Sequence, residues 1–330
     1  MAVSVAHGSM IDMPLVTVGD PGNVADPATN YGTVPYVYQI GEYDVTVGQY
    51  CQFLNAVAAT DTYGLYSPKM APGPVNDFRT LGIVQNGNSG SYTYSVAGSD
   101  SQAANCPIFN VSWGDAARFV NWLQNGQPTG AEGPGTTESG TYNLNGGTSN
   151  SALMKVSRST TGNWVLPTVN EWYKAAYYSG GGTNAGYWLY PTQSNTPPSN
   201  LLSTTGTNNA NFSDPNSGGA SDPLDFLTPV GAFAASPGRY GTYDQGGNVD
   251  QWNETVYGGT ARGFGGGAYD SAVGTLLSES IAGGTDPAFA DGGLGFRVAY
   301  VPEPASLWLL VAGATLFFLK RHRFITKDKE

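Results

Sequence analysis

Histidine is nearly missing from this chain of 330 residues; its only two, His7 and His322, sit near the ends. That excludes a Ser-His-Asp triad, a histidine general base in the body, and most zinc sites. Cysteine is equally scarce. Cys51 and Cys106 alone cannot build a metal site. They are read either as two small buried residues, the simpler case, or as a disulfide formed in an oxidising compartment. Charged residues make up only 12% of the chain, too few for a helical bundle rich in Glu and Lys. Basic residues are scarcer still outside the C-terminus. The last eleven residues, KRHRFITKDKE, hold five Lys/Arg and two acids, leaving nine Lys/Arg against 23 acids in residues 1–319. An acidic body has no basic footprint for phosphates, so nucleic acid is not expected as a partner. It suits a secreted protein kept soluble by repulsion, or one that gathers divalent cations.

What is present is glycine, 46 residues of it, with 20 tyrosines, 13 phenylalanines and 7 tryptophans. Those aromatics can bury a large core, so disorder is excluded and a loop-rich α+β domain is expected. VTVGQYCQFLNAV (Val45–Val57) carries Tyr50, Phe53, Leu54 and Val57 at helical spacing behind Thr46 as cap. VSWGDAARFVNWLQNG (Val111–Gly126) predicts a second helix. Ser112 and Asp115 form its capping box, Ala116, Phe119, Val120 and Leu123 its stripe, and Gly126 its end. WVLPTVNEWYKAAYY (Trp164–Tyr178) reads as a strand, a turn at Pro167 and a short helix capped by Thr168 with Glu171 three residues on. Short strands are expected in MPLVTV, in VPYVYQIG, in the hairpin-like SYTYSV, and around Arg262, Tyr269 and Phe296. The long polar segments between them are expected to be functional or pinned by ions. GFGGG (Gly263–Gly267) is only superficially a phosphate loop, because no lysine follows it. Asp250 and Glu254 are a possible carboxylate pair. Arg262 and Arg297 are expected in structural ion pairs, and Trp164, Trp172 and Trp252 in the core.

The C-terminus reads as an address. VPEP (Val301–Pro304) precedes ASLWLLVAGATLFFL (Ala305–Leu319), fifteen residues without a charge, and then KRHR. As a helix, fifteen residues span about 22 Å, short of the ~30 Å hydrocarbon core unless Lys320 and Arg321 snorkel. The basic cluster would stay cytoplasmic, placing the body outside. A plain membrane anchor at 305–319 is the simpler alternative. This arrangement resembles the PEP-CTERM sorting signal, which implies a bacterial envelope protein. An exosortase-type machinery would cut it near the Pro-Glu-Pro and release it to the surface or extracellular matrix. MAVSVAHGSMI has no basic n-region and no long apolar run, so residues 1–11 are expected to be the remnant of an N-terminus whose signal peptide is missing.

Residues 12–300 carry six further segments in one order: IGEYDVTVGQYCQFLN, FNVSWGDAARFVNWL, WVLPTVNEWYKAAYY, TPVGAF, GTYDQGGNVDQW and GFRVA. Together they resemble the formylglycine-generating enzyme (sulfatase-modifying factor) family. The resemblance implies a variant of the C-type lectin fold, with little regular secondary structure and bound calcium. One calcium site would take side-chain oxygens from Asp244 and Gln251 and the carbonyls of Gly247 and Val249. Family members usually carry Asn first and Glu last, so here acid and amide are exchanged. A second site would use Asn211 and Asp222 with the carbonyls of Phe212 and Leu224. The alternative is that Asp244, Asn248 and Gln251 simply satisfy turn backbone groups.

The family's catalysis rests on a cysteine pair that holds copper(I). Here GGGAYDS places Ser271 at the first cysteine position and Leu276 at the second, so neither a thiolate nor copper is expected. The related iron-dependent sulfoxide synthases need a histidine cluster, which is also missing. The leading expectation is therefore a non-catalytic, calcium-stabilised extracellular module presenting loops to polysaccharide or a protein partner. The alternative is an envelope enzyme on the same scaffold using Asp or Glu.

Overall fold

The computed structural model describes residues 10–73, 80–98, 102–181, 186–215, 219, 221, 226–280 and 283–302. In chain order the elements are β1 (Leu15–Val18), β2 (Tyr38–Gly41), α1 (Val47–Val57), β3 (Gly82–Asn86), β4 (Thr93–Ala97), α2 (Trp113–Gln124), α3 (Asn150–Leu153) and β5 (Trp164–Val165). Then come α4 (Val169–Tyr177), β6 (Tyr178–Gly180), β7 (Gly186–Tyr187), β8 (Asp250–Tyr257), β9 (Ala261–Gly265), β10 (Gly283–Thr285), β11 (Leu294–Phe296) and β12 (Ala299–Tyr300).

The three expected helices form where their caps lie. Thr46, Ser112 and Thr168 each accept the N3 backbone N–H, and Gln49, Asp115 and Glu171 return the bond to the cap residue. Each box satisfies two N–H groups that the helix leaves without partners. The stripe of α1 (Tyr50, Phe53, Leu54) meets that of α2 (Phe119, Trp122), with ring centroids 5.3 Å apart for Phe53–Phe119 and 5.3 Å for Phe119–Phe296 of β11. Interlocking edge-to-face aromatics make this the principal core. Trp172 and Trp252 are buried within cores, and Trp164 packs edge-on against Tyr300 at 5.4 Å.

Two small sheets frame that core. One runs β1-β2-β12-β5 and is antiparallel. The other runs β10-β9-β8-β11, with β11 parallel to β8. The GFRVA segment supplies β11 and leads into β12, so Arg297 and Val298 cross from one sheet to the other. β8 is a strand that the sequence reading took as part of a ligand loop. Its first residue pair, Asp250 and Gln251, is hydrogen-bonded into the sheet beside β11. GFGGG is likewise the end of β9 and the turn after it. Among the described residues no helix is long and apolar enough to cross a membrane. The apolar segment 305–319 and Pro304 lie outside the described residues.

Candidate functional site

The turn that leads into β8 carries the expected oxygen ligands. Asp244 and Asn248 adopt left-handed φ of 55° and 65°, and Gly247 sits at 88°. A Cβ on Gly247 would lie 2.1 Å from the Asn211 carbonyl oxygen, so only glycine fits there. Asn248 N–H donates to that same carbonyl (2.8 Å), and Asn211 Nδ2 donates to Asn248 Oδ1 (3.0 Å). Asn211 of the second expected site thus lies against the turn of the first, a proximity that no spacing in the sequence shows.

Around Gln251 the geometry opposes a cation. Its Oε1 accepts from Trp172 Nε1 (2.7 Å) and from Arg297 Nε (2.9 Å), and its Nε2 donates to the Asp244 carbonyl (2.7 Å). An oxygen already facing two donors, one a guanidinium, does not fit as a calcium ligand. Arg297 itself is buried and donates further to the carbonyls of Gly41 (2.6 Å), Glu42 (3.0 Å) and Tyr243 (2.6 Å), and to Asp44 Oδ1 (3.3 Å). The expected structural ion pair for Arg297 is present.

The remaining candidates differ from Gln251. Asp244 is half-buried and its Oδ2 accepts one N–H, from Gly231 at 2.7 Å. Burial pushes its carboxyl up to about 6, opposed by that N–H and by Arg297. Asn211 is fully buried, its Nδ2 is spent on Phe226 and Asn248, and its Oδ1 has no hydrogen-bond partner. A buried acceptor without a partner is costly, and a cation would satisfy it. The Phe212 carbonyl accepts from Asn200 Nδ2 at 3.2 Å. Asp222 and Leu224 lie outside the described residues. Among the described residues no cluster of three or more His, Cys, Asp or Glu could hold a metal. A calcium ion here would therefore depend on amide, hydroxyl and carbonyl oxygens around isolated carboxylates.

The two residues that the resemblance sets at the cysteine positions serve packing and a turn. Ser271 closes a tight turn, its Oγ accepting from Ala268 N–H at 3.0 Å and its N–H donating to the Ala268 carbonyl. Leu276 is completely buried in an apolar cluster with Tyr190, Ala210 and Phe212. Cβ atoms on Gly267 and Gly246 would lie 3.0 and 3.5 Å from its side chain, so leucine fills the space between two glycines. Cys51 and Cys106 are both buried and not joined in a disulfide, and burial pushes the Cys51 thiol up to about 11.

Asp250 and Glu254 are four apart on β8 yet serve separate networks. Asp250 Oδ1 accepts from Gly267 N–H (2.8 Å); burial, and behind it the neighbouring Asp270 and Asp291, push its carboxyl up to about 7. Glu254 binds Arg158 Nε (2.9 Å) and Tyr142 Oη (2.8 Å). Arg158 also forks onto Glu171 (3.1 and 3.0 Å), which Tyr36 Oη meets at 2.7 Å. Burial works to raise Glu171, but the Arg158 charge and the hydrogen bonds from Arg158, Tyr36 and Thr168 outweigh it and hold the carboxyl below its usual range. Two carboxylates bridged by one guanidinium make a clamp between loop, α4 and β8. Sequence reasoning missed Arg158 because it sits in an irregular segment without periodicity; Glu171 was legible only as a cap. Arg262 differs from expectation. It binds the carbonyls of Glu254, Leu153 and Val156 and lies 4.0 Å over the Trp113 ring, with no ion pair to an acid among the described residues.

Solved structures include likenesses to this chain. The crystal structure of CarF superposes with a TM-score of 0.52 at 21% identity, covering 88% of this chain and 99% of that one. Variable protein 1 of Treponema denticola (16% identity, 87% and 95% covered, TM-score 0.47) and PvdO from Pseudomonas aeruginosa (15%, 88% and 92%, TM-score 0.45) are more distant likenesses. No curated protein matches the chain. The model of the sulfatase-modifying factor enzyme 1-like domain matches residues 2–301. Its extent and the helix–sheet arrangement agree: the chain belongs to the sulfatase-modifying factor enzyme 1-like domain family.

Proposed function

We propose that the chain is an exported, non-catalytic module of this family, stabilised by calcium and presenting its loops to extracellular polysaccharide or a protein partner. The observation that carries the reading is Leu276. The position at which the family's chemistry needs a second thiolate holds a fully buried aliphatic side chain packed between Gly246 and Gly267, and its partner position holds a serine committed to a turn. A thiolate centre cannot be assembled from these groups. Calcium is supported by the Asn211 oxygen and the Asp244 carboxylate, with Asp222 and the carbonyls of Gly247 and Val249 as further oxygens. Export, exosortase handling and release rest on the VPEP–apolar–basic order of residues 301–330. Before processing, residues 305–319 would hold the chain in the membrane.

The test has two arms. Thermal melting of the purified chain with and without chelator reads the calcium, and a lower melting temperature in chelator is expected. A glycan array and a pull-down from extracellular matrix read the partner. Blank results in both, with calcium present, would remove the binding reading; an unchanged melting temperature would remove the calcium.

A further inference from the structure

Two open clefts flank the outer face of α1, one of about 360 Å³ and one of about 260 Å³, and Gln52 lines both. Gln52 is exposed, and its side chain makes no hydrogen bond among the described residues. An amide in this state offers two N–H donors and an oxygen acceptor. Asn105 gives the larger cleft a second exposed amide, bonded only to Gln102 Oε1 at 2.8 Å. Apolar surface comes from Tyr43 in the larger cleft, its ring stacked on Tyr243 at 5.5 Å, and from Trp122 in the smaller. One wall is fixed before any ligand arrives. Met10 and Ile11 border the smaller cleft and Met13 and Pro14 the larger. Side chains tie this segment down: Gln127 accepts from Ile11 N–H (2.7 Å) and donates to its carbonyl (3.0 Å), and Gln49 Nε2 donates to the Asp12 carbonyl (2.8 Å). A preformed wall lowers the entropy lost on binding.

Charge selects the occupant. Among the residues that line the two clefts the only charged side chain is Asp44, which is fully buried against Arg297. Neither cleft presents a cation, and residues 1–319 hold 23 acids against nine Lys/Arg, so phosphorylated, sulfated or uronic-acid chains are repelled. Amide and aromatic surface remains. It matches a ligand dense in hydroxyls, each both donor and acceptor, with apolar C–H faces between them. We infer that these clefts bind an uncharged polysaccharide, with Gln52 at their junction hydrogen-bonding its hydroxyls. The inference rests on the polysaccharide reading above and moves the contact from the loops to the face of α1. Ligand sites run from about 300 Å³ upward, so clefts of this size hold a short stretch of sugar chain.

An array of uncharged gluco-, manno- and galacto-oligosaccharides beside uronic-acid and sulfated ones, probed with the full chain in calcium, tests the idea. Calorimetry then measures the bound sugars. Gln52→Trp fills the junction of the clefts and Gln52→Ala removes the amide. Because Gln52 is exposed and unbonded, both variants should fold, which circular dichroism checks; Gln52→Ala carries the test if Gln52→Trp does not fold. The expected result is binding of uncharged oligosaccharides only, weakened about tenfold or more by Gln52→Ala and lost in Gln52→Trp. Glycan binding that neither variant moves would overturn this site and leave the polysaccharide reading in place. Binding of acidic glycans alone would overturn the uncharged class. A matrix protein captured by the unaltered chain but not by Gln52→Trp, with no glycan bound, would give this surface to a protein and overturn the inference. A blank array and a blank pull-down would remove this inference together with the binding reading.

Discussion

Gln251 and Arg297 are locked together at 2.9 Å, amide oxygen to guanidinium Nε, at the point where β8 and β11 run parallel. Arg297 also takes three backbone carbonyls and Asp44, so one buried cation ties together the ends of both sheets and the loop before β8. In Arg297→Met those acceptors lose their donor and Asp44 loses its counter-charge. Removing one partner of a buried pair costs about 3–5 kcal/mol. Denaturant unfolding should show a loss of that order. A change under 1 kcal/mol would mean that the network is not structural.

Leu276→Ala should open a cavity between Gly246 and Gly267. Fully buried leucines truncated to alanine lose about 2–5 kcal/mol, the range depending on how far the site collapses. Ser271→Ala removes only one half-buried turn hydroxyl bond and should cost about 1 kcal/mol. Neither variant, nor the unaltered chain, should oxidise a cysteine in a peptide to an aldehyde in the presence of copper. A detectable aldehyde product from the unaltered chain would contradict the non-catalytic reading.

Stability should rise on acidification from pH 8 to about pH 5, measured by thermal melting in chelator. Burial raises the carboxyls of Asp115 and Asp244 to about 6 and those of Glu132 and Asp250 to about 7. Each binds its proton more tightly folded than unfolded, where the value is about 4. Their contribution is complete below that unfolded value and is lost as the pH climbs through 6 and 7. Glu171, held low by Arg158, works in the opposite sense, but only below the unfolded value. Asp250→Asn should flatten the curve between pH 5 and 7. A melting temperature that falls steadily from pH 8 to 5 would refute the assignment.

The Arg158 clamp predicts a localised weakness. Arg158→Met leaves Glu171 and Glu254 facing each other without their shared cation. The arginine is 18% exposed, so part of the charge is screened and the cost should be on the order of 2–3 kcal/mol. Amide exchange should speed up at the start of α4 and in β8 first. Uniform acceleration across α1 and α2 as well would count against a local clamp.

Helices were the most legible part of this fold in the sequence. Thr46, Ser112 and Thr168 announce their own starts, because capping is a contact between residues three apart. The aromatic stripes of α1 and α2 follow from a 3.6-residue period. The β8 strand was not legible: DQWNETVY alternates poorly, since the amides of Gln251 and Asn253 are buried rather than turned to water. The candidate oxygen ligands were proposed from family likeness, and contacts from distant segments then set Gln251 apart from the rest. Arg158, which meets acids 13 and 96 residues away, left no local trace.

The sequence by itself pointed to the family and decided the absence of histidine from residues 12–300 and of cysteine from residues 241–300, because residue identity alone decides which ligands exist. Only the tertiary structure decided which oxygens are free. Gln251 looked like a ligand until Arg297 and Trp172, 46 and 79 residues away, were found on its oxygen. Asn211 was placed by likeness alone until its side-chain oxygen, buried with no hydrogen-bond partner, set it apart. Whether a buried oxygen needs a cation depends on every donor packed around it, and those donors are brought together only when the chain folds.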